Sequence, residues 1–98
     1  MSDRSVYLVA YDIRDSKRLR LVHKKMKGFG DAVQFSVFQC ELSRAEKQLM
    51  ISALSELIQH NEDRVLIVEM GRRQGRVRRA LQVLGRQELP PEKGPVVF

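Results

Sequence analysis

The sequence predicts an α+β sandwich, a mostly antiparallel sheet with two amphipathic helices packed on one face. Three observations carry this. An apolar, β-branched run opens the chain at 5–12. Two segments of helical period follow, each opened by a capping residue. Further apolar runs lie between and after those helices, giving the order β-α-β and then α-β.

The first run, SVYLVAYD (5–12), has almost no polar break, as expected of a strand covered on both faces. The period changes between Asp15 and Gly28. Leu19, Val22, Met26 and Phe29 recur at helical spacing, Asp15 is the N-cap, and Gly28 and Gly30 supply the stop. The opposite face carries Lys17, Arg18, Arg20, Lys24, Lys25 and Lys27. AVQFSVFQCEL (32–42) alternates Val33, Phe35 and Val37 against Gln34, Ser36 and Phe38, the mark of a strand. SRAE (43–46) is a capping box with Ser43 as N-cap and Glu46 at the third helical position. It opens a second helix through Leu49, Ala53, Leu54, Leu57 and Ile58. HNEDR is a polar turn, and VLIVEM (65–70) is a further strand.

Beyond Gly71 the chain turns arginine-rich, with six arginines and no acid between 72 and 86. A short strand is expected at 80–84, PPEKGP is a spacer, and VVF is an edge-pairing strand at the end. The whole of 1–98 is thus one domain, with a core over about 5–70 and a basic segment plus closing strand over 71–98. With the short apolar additions at the end, this pattern suggests the ferredoxin-like βαββαβ sandwich. If both helices cover one face, the other must be covered too. Phe35 or Phe38 on that face points to a homodimer closing sheet on sheet.

Charge narrows the function classes. A net charge of +6 and a pI near 10.0 favour a polyanionic partner, nucleic acid or anionic lipid. VYLVAY is too short for a membrane span or signal-peptide core, and a cytoplasmic protein is expected. The single cysteine, Cys40, excludes an intramolecular disulfide and a cysteine-based metal cluster. His23 and His60 fall in different helices without zinc spacing, and GRRQG is not a phosphate-cradling loop. No nucleophilic-hydrolase signature is present.

Between 14 and 27 seven lysines and arginines stand against one acid, Asp15. With the 72–86 cluster, which includes Arg76, Arg78 and Arg79, this favours nucleic acid, bound through its backbone with steep salt dependence. Asp12 is the sharpest chemical candidate. A carboxylate at the end of a central strand can cap a turn, neutralise nearby arginines, or hold a metal ion. Two copies about a two-fold axis, with phosphate oxygens and waters, could hold one Mg²⁺ and so support phosphodiester hydrolysis.

The stretches YDIRDSKRLRLV, GFGDAVQFSVFQCELS and DRVLIVEMG, together with the terminal GPVVF, resemble the CRISPR-associated small endonuclease family, Cas2, of the spacer-acquisition machinery. The resemblance spans about Val6 to Met70. It implies a homodimer in which the C-terminal strand pairs across to the neighbouring sheet. It also implies work beside the CRISPR integrase subunit, and Mg²⁺- or Mn²⁺-dependent cleavage of single-stranded RNA or duplex DNA. Carried onto this chain, the metal-binding aspartate falls on Asp12 with Tyr11 beside it. The helix arginines fall on Arg18 and Arg20, with Lys24 on the same basic face, and the strand pair on Ser36 and Phe38. Ala32 stands where the family often has arginine, which removes one candidate phosphate contact and weakens the case for catalysis more than that for binding; Gln39 stands where glutamate is frequent. A non-catalytic duplex-DNA scaffold and a stand-alone toxin-like ribonuclease remain the alternatives.

Overall fold

The computed structural model describes residues 4–72 together with Gln82, Leu84 and Gly85. The closing VVF strand, Arg76, Arg78, Arg79 and most of the strand expected at 80–84 lie outside the described residues. The chain forms β1 (Ser5–Asp12), α1 (Ser16–Met26), β2 (Asp31–Gln34), β3 (Val37–Leu42), α2 (Arg44–Leu57) and β4 (Arg64–Gly71). The four strands make one antiparallel sheet in the order β2-β3-β1-β4. Among the described residues this is the expected ferredoxin-like α+β arrangement.

Both helices begin where the sequence placed their caps. The Asp15 carboxylate accepts from Arg18 N, and the Ser43–Glu46 capping box is formed in both directions. Each cap satisfies backbone donors that the first turn otherwise leaves free, an effect of about 1 kcal/mol. The core lies between helices and sheet. Tyr7, Val9 and Tyr11 of β1 and Phe38, Cys40 and Leu42 of β3 meet Val22 and Met26 of α1 and Met50 and Leu54 of α2.

Four expectations are corrected. The segment 32–42 is not one strand but a hairpin, broken at Phe35 and Ser36. Gln34 pairs with Val37 across a two-residue connection, and the register slips between Ala32 and Gln34. Such connections usually need positive φ and advertise themselves as Asn-Gly. Among the described residues no non-glycine residue has positive φ, so the turn at Phe35 and Ser36 left no such signature. Second, Phe38 is fully buried on the helix-covered face rather than facing a partner. Third, α2 turns Met50 inward, and Leu49 is 64% exposed. His60, moreover, follows α2 and belongs to no helix.

Gly30 explains how the chain re-enters the sheet after α1. A Cβ there would overlap Gln39 O and lie 2.9 Å from the Cys40 Cα, so only glycine lets the backbone pass so close to β3. The helix-free face keeps an apolar row. Leu66 and Val68 are 55% and 51% exposed, and Leu8 and Ala10 lie opposite Val68 and Leu66 in register.

Candidate active site

Alternation along β1 decides where its last two residues point. Tyr11 is buried with the core, whereas Asp12 is exposed and shares strand parity with Leu8 and Ala10 of the helix-free face. Asp12 stands opposite Arg64 in the β1–β4 register. Among the described residues its carboxylate is in no ion pair. It therefore stands exposed at the carboxyl end of a central strand, beside an apolar surface.

Tyr11 does other work. Its hydroxyl donates to Phe35 O at 2.9 Å, and His23 Nδ1 lies 3.1 Å from both that oxygen and the Tyr11 hydroxyl. A His23 protonated on Nδ1 satisfies all three contacts, donating to the carbonyl and the phenol oxygen while the phenol donates to the carbonyl. Burial pushes the Tyr11 phenol above its ordinary range. Burial likewise holds the His23 imidazole below its ordinary value; the Lys27 charge adds to this and Phe35 O opposes it. Both rings pack on Phe38, Tyr11 in a stacked arrangement at 6.2 Å and His23 edge-on at 5.2 Å between centroids. Tyr11 N also donates to Ser36 O at 3.0 Å. The hairpin turn holding Ser36 is thus pinned to the end of β1, next to Asp12, by contacts from Tyr11 and His23.

A second device fixes the loop on the other side of Asp12. The Asp63 side chain is fully buried, and its carboxylate accepts from Arg14 N (2.9 Å), Gln59 N (2.8 Å), Arg18 Nε (2.8 Å) and Arg18 Nη2 (3.2 Å). The Arg18 guanidinium, first of all, holds this carboxyl well below the usual carboxylate range, and the Arg14 and Gln59 N–H groups reinforce it against desolvation. Arg18 is raised in turn, chiefly by Asp63, and also bonds Glu62 at 3.0 Å. Arg18 is therefore committed to carboxylates. Arg20, Lys17, Lys24, Lys25 and Lys27 remain exposed on α1, and none is in an ion pair among the described residues.

So Asp12, Tyr11 and Ser36 come together around one strand end, with Tyr11 turned to the opposite face from Asp12. Arg20 and Lys24 share the basic helix face. His23, Asp63 and the Phe35 carbonyl were not singled out by sequence. His23 stands four residues after Leu19 and three before Met26, in the apolar stripe, which is the signal that it is a buried histidine. Asp63 had only its place just before a strand.

The described residues of the single chain do not by themselves make a metal site. Among the described residues no cluster of three or more histidine, cysteine, aspartate or glutamate side chains could hold an ion. Asp12 alone offers one hard oxygen donor group, fitting a divalent cation only if a second copy supplies another.

Comparison with known proteins accords with this geometry. The sequence profile of the family described as CRISPR associated protein Cas2 matches residues 5–78. A protein of Geobacter sulfurreducens named CRISPR-associated endoribonuclease Cas2 is 47% identical over 66 residues, 67% of this chain and 70% of its own. One of Rhodospirillum rubrum, named CRISPR-associated endoribonuclease Cas2 1, is 51% identical over 65 residues, covering 66% of this chain and 64% of its own. The crystal structure of Streptococcus pyogenes Cas2 at pH 6.5 superposes with a TM-score of 0.73 at 30% identity, over 82% of this chain and 99% of that one.

Proposed function

The chain belongs to the CRISPR-associated protein Cas2 family, and from that premise we propose that it is a homodimeric, divalent-metal-dependent endonuclease. The relatives named as endoribonucleases direct the choice of substrate to single-stranded RNA first, with duplex DNA second. One observation carries the proposal: Asp12 is exposed at the end of a central strand, on the helix-free face of the sheet, and among the described residues it is in no ion pair.

The dimer closes through that face, where Leu66 and Val68 leave apolar area in water. In that dimer the two Asp12 carboxylates would be the groups that hold Mg²⁺ or Mn²⁺. When bound, the cation supplies positive charge for the phosphodiester transition state and activates water. The chain's own residues supply the frame. Tyr11 and His23 hold the Ser36 turn beside the site, Asp63 holds the following loop, and the α1 cations draw the phosphate backbone towards it. Arg20 and Lys24 are the phosphate contacts; Arg18 acts mainly by fixing α1 to Asp63.

A second reading is a non-catalytic scaffold that holds duplex DNA beside the CRISPR integrase subunit in the cytoplasm. It is favoured by the absence, among the described residues, of a cluster of three or more histidine, cysteine, aspartate or glutamate side chains that could hold an ion. No described helix is long and apolar enough to cross a membrane.

Cleavage of labelled single-stranded RNA and duplex DNA, with Mg²⁺, Mn²⁺ or chelator, separates the two. Metal-dependent cutting by the native chain that is lost in Asp12→Ala supports the nuclease. Salt-sensitive binding by both proteins without cutting by either leaves the scaffold.

A further inference from the structure

At the end of β1 remote from Asp12 lies a cavity of about 400 Å³ between the first turns of α2 and the end of β4. Tyr7 and Asp12 are five residues apart along an extended strand, roughly 17 Å, and belong to opposite faces. The cavity is therefore separate from the candidate active site. Its walls carry Arg44, Lys47 and Arg72 against one carboxylate, Glu69, with the Gln48 amide among them.

Charge is left uncompensated here, as it is on the exposed face of α1, but here the cations share the walls of a cavity. Arg18 is met by Asp63 and Glu62, and Arg4 by Glu46. Glu46 is the carboxylate nearest in sequence to Arg44 and Lys47, but Ser43 N (2.8 Å) and Arg4 (2.9 Å) already hold it. Among the described residues Arg44, Lys47, Arg72 and Glu69 are in no ion pair. Among the described lining residues, three cations and one anion leave two positive charges uncompensated.

The Tyr7 ring is buried, and the Lys47 ammonium lies over it, 5.1 Å from its centroid. That face is unavailable for stacking a base, so the ligand is recognised by charge and hydrogen bonds. Guanidinium forks and an amide suit a compact oxyanion with several acceptors. A phosphodiester brings one negative charge, whereas a phosphate monoester brings close to two at neutral pH. The monoester matches the surplus.

We propose that this cavity binds a phosphate monoester, either the terminal phosphate of a nucleic-acid strand or that of a free mononucleotide. The site stands independently of the nuclease reading, because none of its residues is near Asp12.

The test is an amide chemical-shift titration of the full chain carrying Asp12→Ala, which prevents cleavage of the probe. Three probes are used at matched ionic strength: a 5′-phosphorylated oligoribonucleotide, the same oligonucleotide with a 5′-hydroxyl, and 5′-AMP. The expected result is saturable shifts at Gln48 and Glu69 with the phosphorylated strand and at least tenfold weaker affinity for the hydroxyl strand. The Arg44→Gln/Arg72→Gln double variant, both substitutions at exposed positions, should lose that discrimination while keeping a folded spectrum. Shifts at the same amides with 5′-AMP identify the free nucleotide as a source; shifts with the phosphorylated strand alone identify the strand end. Equal affinity for the phosphorylated and hydroxyl strands, or no saturable shift at Gln48 and Glu69 with any probe, overturns the proposal and leaves the nuclease reading untouched.

Discussion

Replacing Asp63 by asparagine tests the frame around Asp12 most sharply. The carboxylate accepts four hydrogen bonds in a fully buried position, two on each oxygen. An amide keeps one oxygen and turns an NH₂ group towards two donors. Whichever way it is flipped, two of the four bonds are lost and donor faces donor. Two bonds to a charged group, each contributing about 1.5 kcal/mol, give a loss of about 3 kcal/mol. For a domain of this size that corresponds to a fall in melting temperature on the order of 10–20 °C.

The pH dependence has a definite sign. The folded Asp63 carboxyl ionises well below its unfolded value, so it stabilises fully above the unfolded value of about 4. That contribution is lost as pH falls below it towards the folded value. Chemical denaturation of native chain and Asp63→Asn from pH 7 down to pH 2 should therefore show a wide gap at neutral pH that narrows below pH 4. A gap under about 0.5 kcal/mol at pH 7, or one that stays constant to pH 2, would refute the reasoning.

Other outcomes follow from the same coordinates. Gly30→Ala should prevent folding or cost more than about 2 kcal/mol, read from denaturant midpoints, because its Cβ meets the backbone of β3 rather than a yielding side chain. Tyr11→Phe removes one donor to Phe35 O while His23 keeps the other; about 1 kcal/mol of stability should go, and hydrogen exchange at Tyr11 N, bonded to Ser36 O, should accelerate. Cys40 should react with a thiol reagent at pH 8 only on unfolding. It is fully buried, and burial, aided by the Asp31 charge, pushes its thiol up to about 11.

Much of the fold was legible because local chemistry and tertiary packing agree in this chain. Asp15 and the Ser43–Glu46 box cap their helices as the sequence indicates, and Val22, Met26 and Leu54 are buried at their periodic positions. The hairpin at Phe35 and Ser36 was hidden because its turn is held from outside. Tyr11, from β1, and His23, from α1, supply bonds that an Asn-Gly turn would find within itself. Alternation alone cannot show that a strand folds back when no glycine or asparagine marks the reversal.

The candidate site was legible in its exposed part and obscure in its buried part. Asp12 stood out as a lone acid ending an apolar run, a pattern that strand geometry converts into a placed carboxylate. Arg18 drew notice as one more basic residue on a basic helix. Its commitment to Asp63, 45 residues away in the chain, is a tertiary contact that no local pattern records. Leu49 misled for a related reason: Leu49 and Met50 are adjacent and both apolar, and only the packing against the sheet selects Met50.

The central claim is that Asp12 from two copies of the chain shares one divalent ion. Mn²⁺ binding to native chain and Asp12→Ala, followed by electron paramagnetic resonance at protein concentrations where the dimer dominates, tests it directly. The account predicts one tightly held ion per two native chains and none for the variant. An ion held by each chain separately, or binding that survives Asp12→Ala, would contradict it.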